Sequence, residues 1–489
     1  MKSSKLQGNL SRLISRKITA VLTESFAQQK HMIEINPVIL KAKGAYIVGG
    51  SVRDLLIGRT PSDYDIAVLG FAQKYASDLA SHISGHVVKI GKQKQMIYRV
   101  VSKKDIFDVS AVIGKTIEDD LSKRDFTINA ICYDLYSKKI IDPFDGIKDL
   151  LAKNIRAVSK EVFQNDPVRL LRAYRIGAML DFEIEHLTEK AISNDVRLIV
   201  KSAGERVKAE LFKIFASIKS YAYISKMSET GLLFEIFPEL SALVGCRQNK
   251  YHTHDVFNHS LAAYNKLEIL LNGCHANPEI SDFAKQEMDN TRSPLLKCCI
   301  LLHDTGKPSS VTTDNGNVHF FGHEKISADI SGCIAKRLKF SNYEANYMDF
   351  ILKNHMKVLH LYESYKRKPL TDKSITRFFV KCKDYIPDLL FHAIADMESK
   401  TKNDDTGNGD FINFIVFLIK KYTLVYKVKQ KEASLITGHD LIEEFGLSPS
   451  PLFKKILSVV EESRLSGNIN SRDEALLLVK DFLKTKAGG

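Results

Sequence analysis

The chain has 489 residues, of which 44% are hydrophobic and 26% are charged. That is an ordinary globular composition, and the length exceeds what one hydrophobic core supports, so several domains are expected. A net charge of +13 favours a polyanionic partner such as nucleic acid. The seven cysteines lack metal-finger spacing and favour a reducing cytoplasm, and no apolar run has the length of a membrane span.

The N-terminal residues 1–35 are predicted to form a helical segment. Its first 17 residues carry five basic side chains and no acidic one, which is also typical of an organelle targeting peptide. An amphipathic helix in a bacterial cytoplasmic protein is the favoured interpretation. Over residues 36–155, short β-branched runs alternate with helical stretches, which predicts a mixed α/β domain. Beyond residue 155 the apolar residues recur at helical spacing, so the remainder is predicted to be helical.

Asp63 and Asp65 are the most informative residues of the first domain. Carboxylates at i and i+2 of an extended segment point to the same face and can share divalent metal ions. Upstream, Ala45–Val48 is predicted to be a buried strand that ends in the glycine pair Gly49 and Gly50. Ser51 follows as a predicted helix cap, so free N–H groups would favour an anion here. The pattern indicates a nucleoside triphosphate bound with Mg²⁺.

Four motifs in chain order resemble the class II tRNA nucleotidyltransferase and bacterial poly(A) polymerase family. The first is Gly-Gly-x-x-Arg-Asp followed by Asp-x-Asp, between Gly49 and Asp65. The second is Lys-Arg-Asp-Phe-Thr-Ile-Asn-Ala from Lys123 to Ala130, and the third extends from Asn165 to Arg175. Gly204-Glu205-Arg206 with Glu210 is similar to the family's next motif. The resemblance covers about the first half of the chain.

The resemblance implies metal-dependent nucleotidyl transfer, in which the acid pair is joined by a third carboxylate from an adjoining strand. Asp108 is the predicted third acid, with Asp105 as the alternative. The predicted catalytic residues are therefore Asp63, Asp65 and Asp108, and the first two are the predicted Mg²⁺ ligands. The predicted nucleotide-binding residues are Gly49, Gly50, Arg53, Asp54, Arg124, Asp125, Asn129, Asp166, Arg169, Arg172 and Arg175.

Asp166 and Arg169 are predicted to select the base. They lie i,i+3 on a predicted helix and so share a face, where the acceptors of one and the donors of the other imitate a Watson–Crick edge. The pair can read cytosine or adenine. Two positions depart from the family pattern: Lys123 stands where arginine is common, and Asn165 stands where glutamate is usual. The second departure concerns how the base pocket is braced.

A short connection bears on which nucleotides are added. Family members that add the terminal adenosine usually carry a long flexible loop between the third-acid strand and the Arg-Asp-Phe-Thr motif. Here the thirteen residues from Ala111 to Lys123 separate Ser110 from Arg124. In the family, shortening of this region accompanies enzymes that add two cytidines and stop. The resemblance favours a CC-adding enzyme with a separate A-adding partner, ahead of a CCA-adding enzyme and a poly(A) polymerase.

A second motif, from Leu301 to Lys307, places His303 and Asp304 after an apolar helical run. It resembles the defining motif of the HD phosphohydrolase superfamily, whose His/Asp shell suits a divalent transition metal that activates water. The resemblance implies hydrolysis of phosphate groups on nucleotides or RNA ends, and a vestigial RNA-binding platform is the alternative. His254 is a spare candidate. The predicted ligands are His259, His303, Asp304, His323, His355 and Asp396.

The expected fold is α+β, with a polymerase-β-like mixed α/β nucleotidyltransferase head, an all-helical neck, an HD domain and a C-terminal helical segment. The expected partners are the tRNA acceptor end, CTP and ATP, with no membrane and no oligomeric state set by the sequence. A rival interpretation is an HD metal phosphohydrolase whose head binds nucleotide as a regulator. The predicted segments are residues 1–35 (N-terminal helix), 36–155 (head), 156–237 (neck), 238–402 (HD domain) and 403–489 (C-terminal helices).

Overall fold

The computed structural model describes residues 42–91, 96–103, 105–247, 255–288, 291–314, 317–400 and 405–487. The chain forms two compact units: one holds the residues up to Ile214 with Ala222–Ile236, and the other holds Phe215–Tyr221 and everything from Phe237. The predicted segment 1–35 and His254 lie outside the described residues, and the division into five segments stays a prediction. No helix in the described ranges has the length and apolar character needed to cross a membrane.

A seven-stranded sheet forms the centre of the first unit. Its strand order is β3-β4-β5-β2-β1-β6-β7, with β2 and β5 parallel and the other neighbours antiparallel. The strands are β1 (Ala45–Val48), β2 (Tyr64–Val68), β3 (His86–Ile90), β4 (Ile97–Val101), β5 (Ile106–Ala111), β6 (Cys132–Asp134) and β7 (Lys139–Ile141). The mixed α/β head expected from the alternating β-branched runs is confirmed.

Alternating side chains give this sheet two different faces. Tyr64, Ile66 and Val68 of β2 join one core cluster with Phe107 and Val109 of β5. The intervening residues of both strands face the other side, because successive strand side chains alternate. That second face has a smaller apolar cluster, which includes Ala67. The polar residues of β2 and β5 are therefore brought together on a single face.

Helices make up most of the rest of the first unit. A two-residue parallel pair, β8 (Asn154–Ile155) with β9 (Glu183–Ile184), interrupts them. The helices are α1 (Gly50–Leu56), α2 (Ala72–His82), α3 (Ile117–Leu121), α4 (Gly146–Leu151), α5 (Val162–Asn165), α6 (Arg169–Leu180), α7 (His186–Asp195), α8 (Gly204–Phe215), α9 (Ser220–Glu229) and α10 (Leu232–Ile236). Helices α8 and α9 contain the points where the chain passes between the two units.

The second unit is predominantly helical. Its helices are α11 (Val256–Leu271), α12 (Pro278–Glu287), α13 (Arg292–Leu302), α14 (Lys307–Ser310), α15 (His323–Arg337), α16 (Asn342–Asn354), α17 (Lys357–Arg367), α18 (Asp372–Cys382), α19 (Ile386–Glu398), α20 (Asp405–Lys420), α21 (Lys427–Gln430), α22 (Gly438–Phe445), α23 (Pro451–Leu465) and α24 (Arg472–Ala487). A π-helical turn, Lys421–Tyr426, joins α20 to α21. The last three helices contribute to a core cluster of their own.

A β-hairpin interrupts this helical unit where only helix was expected. Strands β10 (Val311–Asp314) and β11 (Asn317–Phe320) pair antiparallel between α14 and α15. The sequence reason is local, since β-branched Val and Thr residues precede an Asp-Asn-Gly-Asn run that is typical of a tight hairpin turn. The hairpin ends directly before His323, one of the predicted metal ligands.

Candidate functional site

The acid pair lies at the start of β2. Asp65 belongs to the strand and Asp63 immediately precedes it. Ser51 fixes this end of the strand, because its hydroxyl donates to the Asp63 carbonyl at 3.2 Å and accepts from the Asp65 N–H at 2.9 Å. The prediction that the Ser51 hydroxyl caps helix α1 was therefore wrong. Gly49 is the N-cap of that helix, without a side-chain capping bond, and the hydroxyl supports the acid pair instead.

Asp108 lies beside Asp65 in the sheet. The parallel pairing of β2 with β5 aligns the two residues, so both side chains project from the same face. The Asp108 carboxylate accepts two hydrogen bonds from Arg99 of β4, at 2.8 and 2.7 Å. Asp105 instead lies in the turn before β5, where its backbone pairs with that of Ser102. The geometry favours Asp108 over Asp105 as the third acid, and its role stays a prediction.

Charge is concentrated around Asp65. Burial is the main cause that raises the pKa of Asp65 to about 6, and repulsion from the carboxylates of Asp63 and Asp108 adds to the rise. The Arg124 guanidinium opposes it. A carboxylate that repels its neighbours in this way favours a cation, because a bound cation removes the repulsion.

Gly49 lets the backbone pass close to Arg124. It adopts a φ of 69°, in the left-handed region that glycine occupies without strain. A Cβ at this position would lie 2.6 Å from Nη1 of Arg124 and 3.7 Å from Oδ2 of Asp65. Arg124 itself is held by Asp120, whose Oδ2 accepts from Nε at 3.2 Å and Nη2 at 3.0 Å. The glycine turn, the arginine and the acid pair are therefore packed against one another.

A chain of hydrogen bonds links three of the predicted motifs. Nη1 of Arg53 donates to Oδ1 of Asn129 at 2.7 Å, and Nδ2 of Asn129 donates to Oδ1 of Asp125 at 2.9 Å. The other Asp125 oxygen accepts from Nε of Arg172 at 2.7 Å. Burial alone would raise the pKa of Asp125, but Arg172 and Asn129 outweigh it and hold the pKa well below its usual range. Asp125 is therefore ionised, and it holds Asn129 of its own motif and Arg172 of the third motif in place.

The Arg53 guanidinium has a second partner in this network. Its Nε and Nη2 donate to Oδ1 of Asp54 at 2.9 and 2.7 Å. The adjacent carboxylate thus orients the same arginine that reaches Asn129. The local ion pair and the wider network use different atoms of one side chain, so neither excludes the other.

The base-reading pair does not share a helix as predicted. Asp166 lies in the extended residue after α5, whereas Arg169 is the first residue of α6. Pro167 between them explains the break, since the residue before a proline is excluded from helical geometry. Asp166 caps the following turn by accepting from the Val168 N–H at 3.3 Å. The Arg169 side chain donates to the carbonyls of Lys123 and Arg124, at 2.8 and 3.3 Å, and its backbone N–H donates to the Asp166 carbonyl at 3.0 Å.

Helix α8 supplies partners whose roles the sequence did not reveal. Nη2 of Arg206 donates to Oδ2 of Asp166 at 2.8 Å, and Nε of Arg175 lies 2.6 Å from Oε2 of Glu210. The two α8 residues are one helical turn apart and so reach the reading segment from the same side. Arg175 is thus committed to an ion pair, and Arg206 orients the predicted base-reading carboxylate. Their i,i+4 spacing was the signal that identified a shared face.

One cavity of about 560 Å³ collects these groups. Every predicted catalytic and nucleotide-binding residue except Asp108 lines it, together with Ser51, Ser110, Asp120 and Lys123. Ser110 is two residues beyond Asp108 on the same face of β5. The residues predicted from three separate motifs therefore line one continuous cavity, whereas Asp108 is paired with Arg99 and is not among the residues that line it.

The short connection between β5 and Arg124 is an ordered, capped helix. Thr116 caps α3 in a reciprocal capping box with Asp119. Asp120 within this helix accepts from the Ile113 N–H at 3.0 Å as well as from Arg124. The connection therefore ties the second motif to the end of β5, and in this position no long loop separates them.

A second cluster lies in the other unit, where five elements bring together all six residues predicted as HD ligands. His259 comes from α11, His303 and Asp304 follow α13, His323 begins α15, His355 follows α16, and Asp396 lies in α19. Nε2 of His259 is 2.9 Å from Oδ1 of Asp396, and Nε2 of His303 is 3.1 Å from Oδ2 of Asp304. Nε2 of His323 lies 3.4 Å from Oδ1 of Asp304 and 3.2 Å from Nε2 of His355.

Three of these histidines are oriented by the same kind of local hydrogen bond. Nδ1 of His303, His323 and His355 contacts the carbonyl three residues earlier, at 2.8, 2.8 and 2.7 Å. A carbonyl only accepts, so Nδ1 carries a proton and Nε2 is the ring nitrogen that faces the cluster, where its lone pair binds a metal ion when the ring is neutral. This is the arrangement of metal-binding imidazoles, in which the outer nitrogen donates to a backbone carbonyl.

The centre of the cluster is crowded with buried ligand atoms whose contacts are ionic and not well-formed hydrogen bonds. Nε2 of His303 and Oδ2 of Asp304 lie 3.1 Å apart, and Nζ of Lys307 lies 2.6 Å from the same Asp304 oxygen; His303 and Asp304 are only 1% exposed. Two ligand groups of three share Asp304: one with His259 and His303, the other with His323 and His355. Buried polar atoms are normally satisfied, so this arrangement fits one or two bound cations.

His392 is a fifth buried histidine, which the sequence analysis missed. It is fully buried, its ring centroid lies 5.2 Å from that of His303 and 5.3 Å from that of His355, and neither ring nitrogen has a hydrogen bond. Its place on α19 one turn before Asp396 was the available signal. Burial lowers the pKa of His392 well below its usual value, so it packs behind the cluster as a neutral ring.

Three protein-family domains match separate parts of the chain. The poly(A) polymerase head domain matches residues 45–156, the RNA and SrmB-binding site of polymerase A matches 181–243, and tRNA nucleotidyltransferase domain 2 matches 419–479. The first match contains the acid pair and the Arg124 motif. The second contains the Arg206 and Glu210 contacts.

Relatives cover almost the whole chain. An A-adding tRNA nucleotidyltransferase of Deinococcus radiodurans is 28% identical over 91% of this chain and 97% of its own length. A CC-adding tRNA nucleotidyltransferase of Thermus thermophilus is 27% identical over 88% of this chain and 92% of its own. The fold is similar to that of the Thermotoga maritima CCA-adding enzyme complexed with tRNA, with a TM-score of 0.63, 22% identity, and coverage of 95% and 98%. The chain therefore contains a poly(A) polymerase head domain and is similar over most of its length to tRNA nucleotidyltransferases.

Proposed function

We propose that this protein is a CC-adding tRNA nucleotidyltransferase of the bacterial cytoplasm. The observation that carries the proposal is the single cavity in which the acid pair, the arginine network and the Asp166/Arg169 pair meet. The capped helix α3 supports the CC specificity, because the family's A-adding members carry a long loop in that position. The tRNA acceptor end and CTP are the proposed partners, with ATP as a further substrate only in a CCA-adding or A-adding enzyme.

Enzymes of this family typically use a divalent metal ion, and Mg²⁺ is our proposal here. The residues fit it, because Asp63 and Asp108 both repel the buried Asp65 carboxylate, and a cation would relieve this repulsion. Asp63, Asp65 and Asp108 would hold the ion, with Arg99 giving up its contacts to the third acid. When bound, Mg²⁺ lowers the pKa of the attacking hydroxyl and neutralises the leaving pyrophosphate.

The remaining steps belong to the side chains of the cavity. Arg53 and Arg124, each oriented by a carboxylate, offer N–H donors to the triphosphate oxygens. Asp166 and Arg169 present acceptors and donors to the edge of the base. The tRNA 3′-oxygen then bonds to the α-phosphorus while the bond to pyrophosphate breaks, so the tRNA gains one nucleotide. Positioning by fixed charges is the main protein contribution to such transfer.

The test is extension of a tRNA that lacks its 3′ terminal CCA. The full-length protein is incubated with Mg²⁺ and CTP alone, ATP alone, or both, and the products are resolved on a sequencing gel. We expect two added cytidines with CTP and no further extension when ATP is present. Addition of a third residue with both nucleotides would assign a CCA-adding enzyme, and a single adenosine on tRNA ending in CC would assign an A-adding enzyme. Long ATP-dependent tails would assign a poly(A) polymerase.

A glycine substitution tests whether the turn before helix α1 serves the site. Gly49→Ala introduces a Cβ 2.6 Å from Nη1 of Arg124 at a φ of 69°, so it both strains the backbone and displaces the arginine. We expect a loss of stability of about 1 kcal/mol and a rise in KM for CTP of at least about 10-fold. Urea unfolding and steady-state kinetics measure the two effects.

Gly58→Ala is the matched control. Gly58 has a φ of 73°, and a Cβ there would meet no atom within 4 Å, so the substitution imposes the backbone strain without the collision. It should lower stability by a similar amount and leave KM for CTP unchanged. An equal rise in KM for both variants would show that the collision with Arg124 has no part in nucleotide binding.

The cluster in the second unit supports a second activity, which we propose to be metal-dependent hydrolysis of phosphate esters. The observation that favours it is the pair of buried ligand groups that share Asp304, one with His259 and His303 and the other with His323 and His355. A divalent transition metal held by the six predicted ligands would supply an activated water molecule. In the balanced reaction the water oxygen bonds to phosphorus, one P–O bond to the alcohol breaks, and the proton passes to the released alkoxide oxygen.

A further inference from the structure

The cavity above this second cluster has an aromatic wall that metal binding does not explain. Phe321 is 77% exposed, and its ring stacks on that of His319 with centroids 5.3 Å apart and planes 8° apart. Both residues line a cavity of about 360 Å³ that also contains His303 and Asp304. This volume lies within the ~300–1,000 Å³ typical of small-molecule sites, where flat aromatic side chains bind flat ligand groups.

The position of the wall relative to the cluster is fixed. Nδ1 of His323 donates to the carbonyl of Phe320 at 2.8 Å, which ties the end of strand β11 to a cluster ligand. Gly322 follows Phe321 with a φ of 75° and caps helix α15. That left-handed turn separates Phe321, which is exposed, from His323, which is buried. Phe321 and the cluster residue His323 are thus two positions apart along the chain and border the same cavity.

Two lysines add positive charge between the wall and the cluster. Nζ of Lys307 lies 2.6 Å from Oδ2 of Asp304 and 5.4 Å from the ring centroid of Phe320. Nζ of Lys400 lies 3.0 Å from Oδ2 of Asp396. Both lysines line the cavity. The cavity therefore has a polar floor, in which the two lysines are paired with candidate metal ligands, and an apolar, flat rim. With a cation bound at the cluster, this arrangement suits a ligand that is anionic at one end and aromatic at the other.

We propose that Phe321, backed by His319, stacks on the base of a nucleoside whose 2′- or 3′-phosphate faces the cluster. The inference rests on the proposed hydrolytic function of this site and identifies the residues that recognise its substrate. A base offers a π face whatever its identity, so stacking gives affinity without strong sequence preference. A phosphate on a simple sugar or on a serine or threonine side chain has no flat ring and gains nothing from this wall.

The first test compares two substrates that differ only in the base: adenosine 2′,3′-cyclic phosphate and its abasic counterpart, ribose 2,3-cyclic phosphate. In the full-length, metal-loaded protein, Phe321→Ala should raise KM for the adenosine substrate by about 10-fold, the scale of one lost stacking contact, with kcat unchanged. KM for the abasic substrate should stay the same. Phe71→Ala, which removes an 85% exposed phenylalanine of the other unit, is the control and should change neither KM.

The second test reads binding without catalysis. The chain contains no tryptophan, so Phe321→Trp gives a protein with a single indole fluorophore at the proposed stacking position. Adenosine 3′-monophosphate should quench its emission in a saturable way, and ribose 3-phosphate or inorganic phosphate should not. The same variant should retain the KM of the unsubstituted protein for adenosine 2′,3′-cyclic phosphate, because indole also stacks on bases.

The outcomes separate this inference from the proposed hydrolytic activity. Equal KM values for the two substrates, unchanged by Phe321→Ala, would overturn the proposed stacking and leave the proposed hydrolysis intact. The absence of base-dependent quenching would have the same consequence. Quenching by the nucleotide without hydrolysis of either substrate would support the wall and remove the hydrolase. A short oligoribonucleotide ending in the same cyclic phosphate distinguishes the source of the nucleoside: a lower KM than the mononucleotide assigns RNA ends, and an equal or higher KM assigns free nucleotides.

Discussion

Asp65→Asn is expected to lower the rate of CMP incorporation into tRNA by on the order of 10³-fold or more. The substitution keeps the shape of the side chain and removes the charge that the proposed Mg²⁺ site requires. Metal ions supply several kcal/mol of transition-state stabilisation in such reactions, and each ~1.4 kcal/mol is worth tenfold in rate. The measurement is single-turnover incorporation of labelled CMP into tRNA that lacks its CCA end.

Asp105→Asn is the matched control for this prediction. Asp105 lies three residues before Asp108, in the turn between β4 and β5, and it does not line the cavity. The rate of CMP incorporation by this variant should stay within about twofold of that of the unsubstituted protein. Asp65→Asn should also retain the phosphohydrolase activity of the other unit. A large loss of incorporation in Asp105→Asn with little loss in Asp65→Asn would contradict the assignment of the acids.

His303→Ala is expected to abolish phosphate-ester hydrolysis and to leave CMP incorporation unchanged. The substitution removes a buried Nε2 that lies 3.1 Å from Oδ2 of Asp304 and belongs to one of the two candidate ligand groups. Loss of groups that merely orient metal ligands costs about 10–100-fold in metal affinity or activity, so loss of a ligand should exceed 10²-fold. The measurements are hydrolysis of adenosine 2′,3′-cyclic phosphate and the bound divalent metal found by elemental analysis, which should fall together.

His275→Ala provides a matched histidine in the same unit. Its Nε2 pairs with Glu398 at 2.9 Å, and it takes no part in the cluster. This variant should keep both its metal and its hydrolytic activity. If His303→Ala kept full metal content and full hydrolysis, the assignment of His303 as a metal ligand would be wrong. If the unsubstituted protein bound no metal and hydrolysed no phosphate ester, the helical platform without a catalytic centre would be the correct interpretation of this unit.

Much of the fold and of both sites follows from local sequence patterns. The acid pair, the glycine turn and the aligned strand of Asp108 were predictable because strand alternation and register are short-range geometry. The six residues predicted as HD ligands lie in one cluster although they come from five helical elements, and their role as ligands stays a prediction. In each case the chemistry of the residue type and its place on an element were sufficient.

The parts that were not predictable depend on partners distant in sequence. Ser51 looked like a helix cap, but its hydroxyl bonds to the chain at Asp63 and Asp65, twelve and fourteen residues away. Asp166 looked helical because its spacing to Arg169 fits a helix, and Pro167 prevents this. Arg99 could not be assigned to Asp108 without knowing that β4 pairs with β5. Such contacts are set by tertiary packing, which sequence spacing does not encode.

The charges that line the nucleotide cavity balance. Six cationic side chains and six carboxylates border it: Arg53, Lys123, Arg124, Arg169, Arg172 and Arg175 against Asp54, Asp63, Asp65, Asp120, Asp125 and Asp166. A nucleoside triphosphate brings about four negative charges, which this neutral lining does not offset, and two divalent cations restore neutrality. Electroneutrality thus makes nucleotide and metal enter as a linked pair: the apparent affinity for each should increase with the concentration of the other.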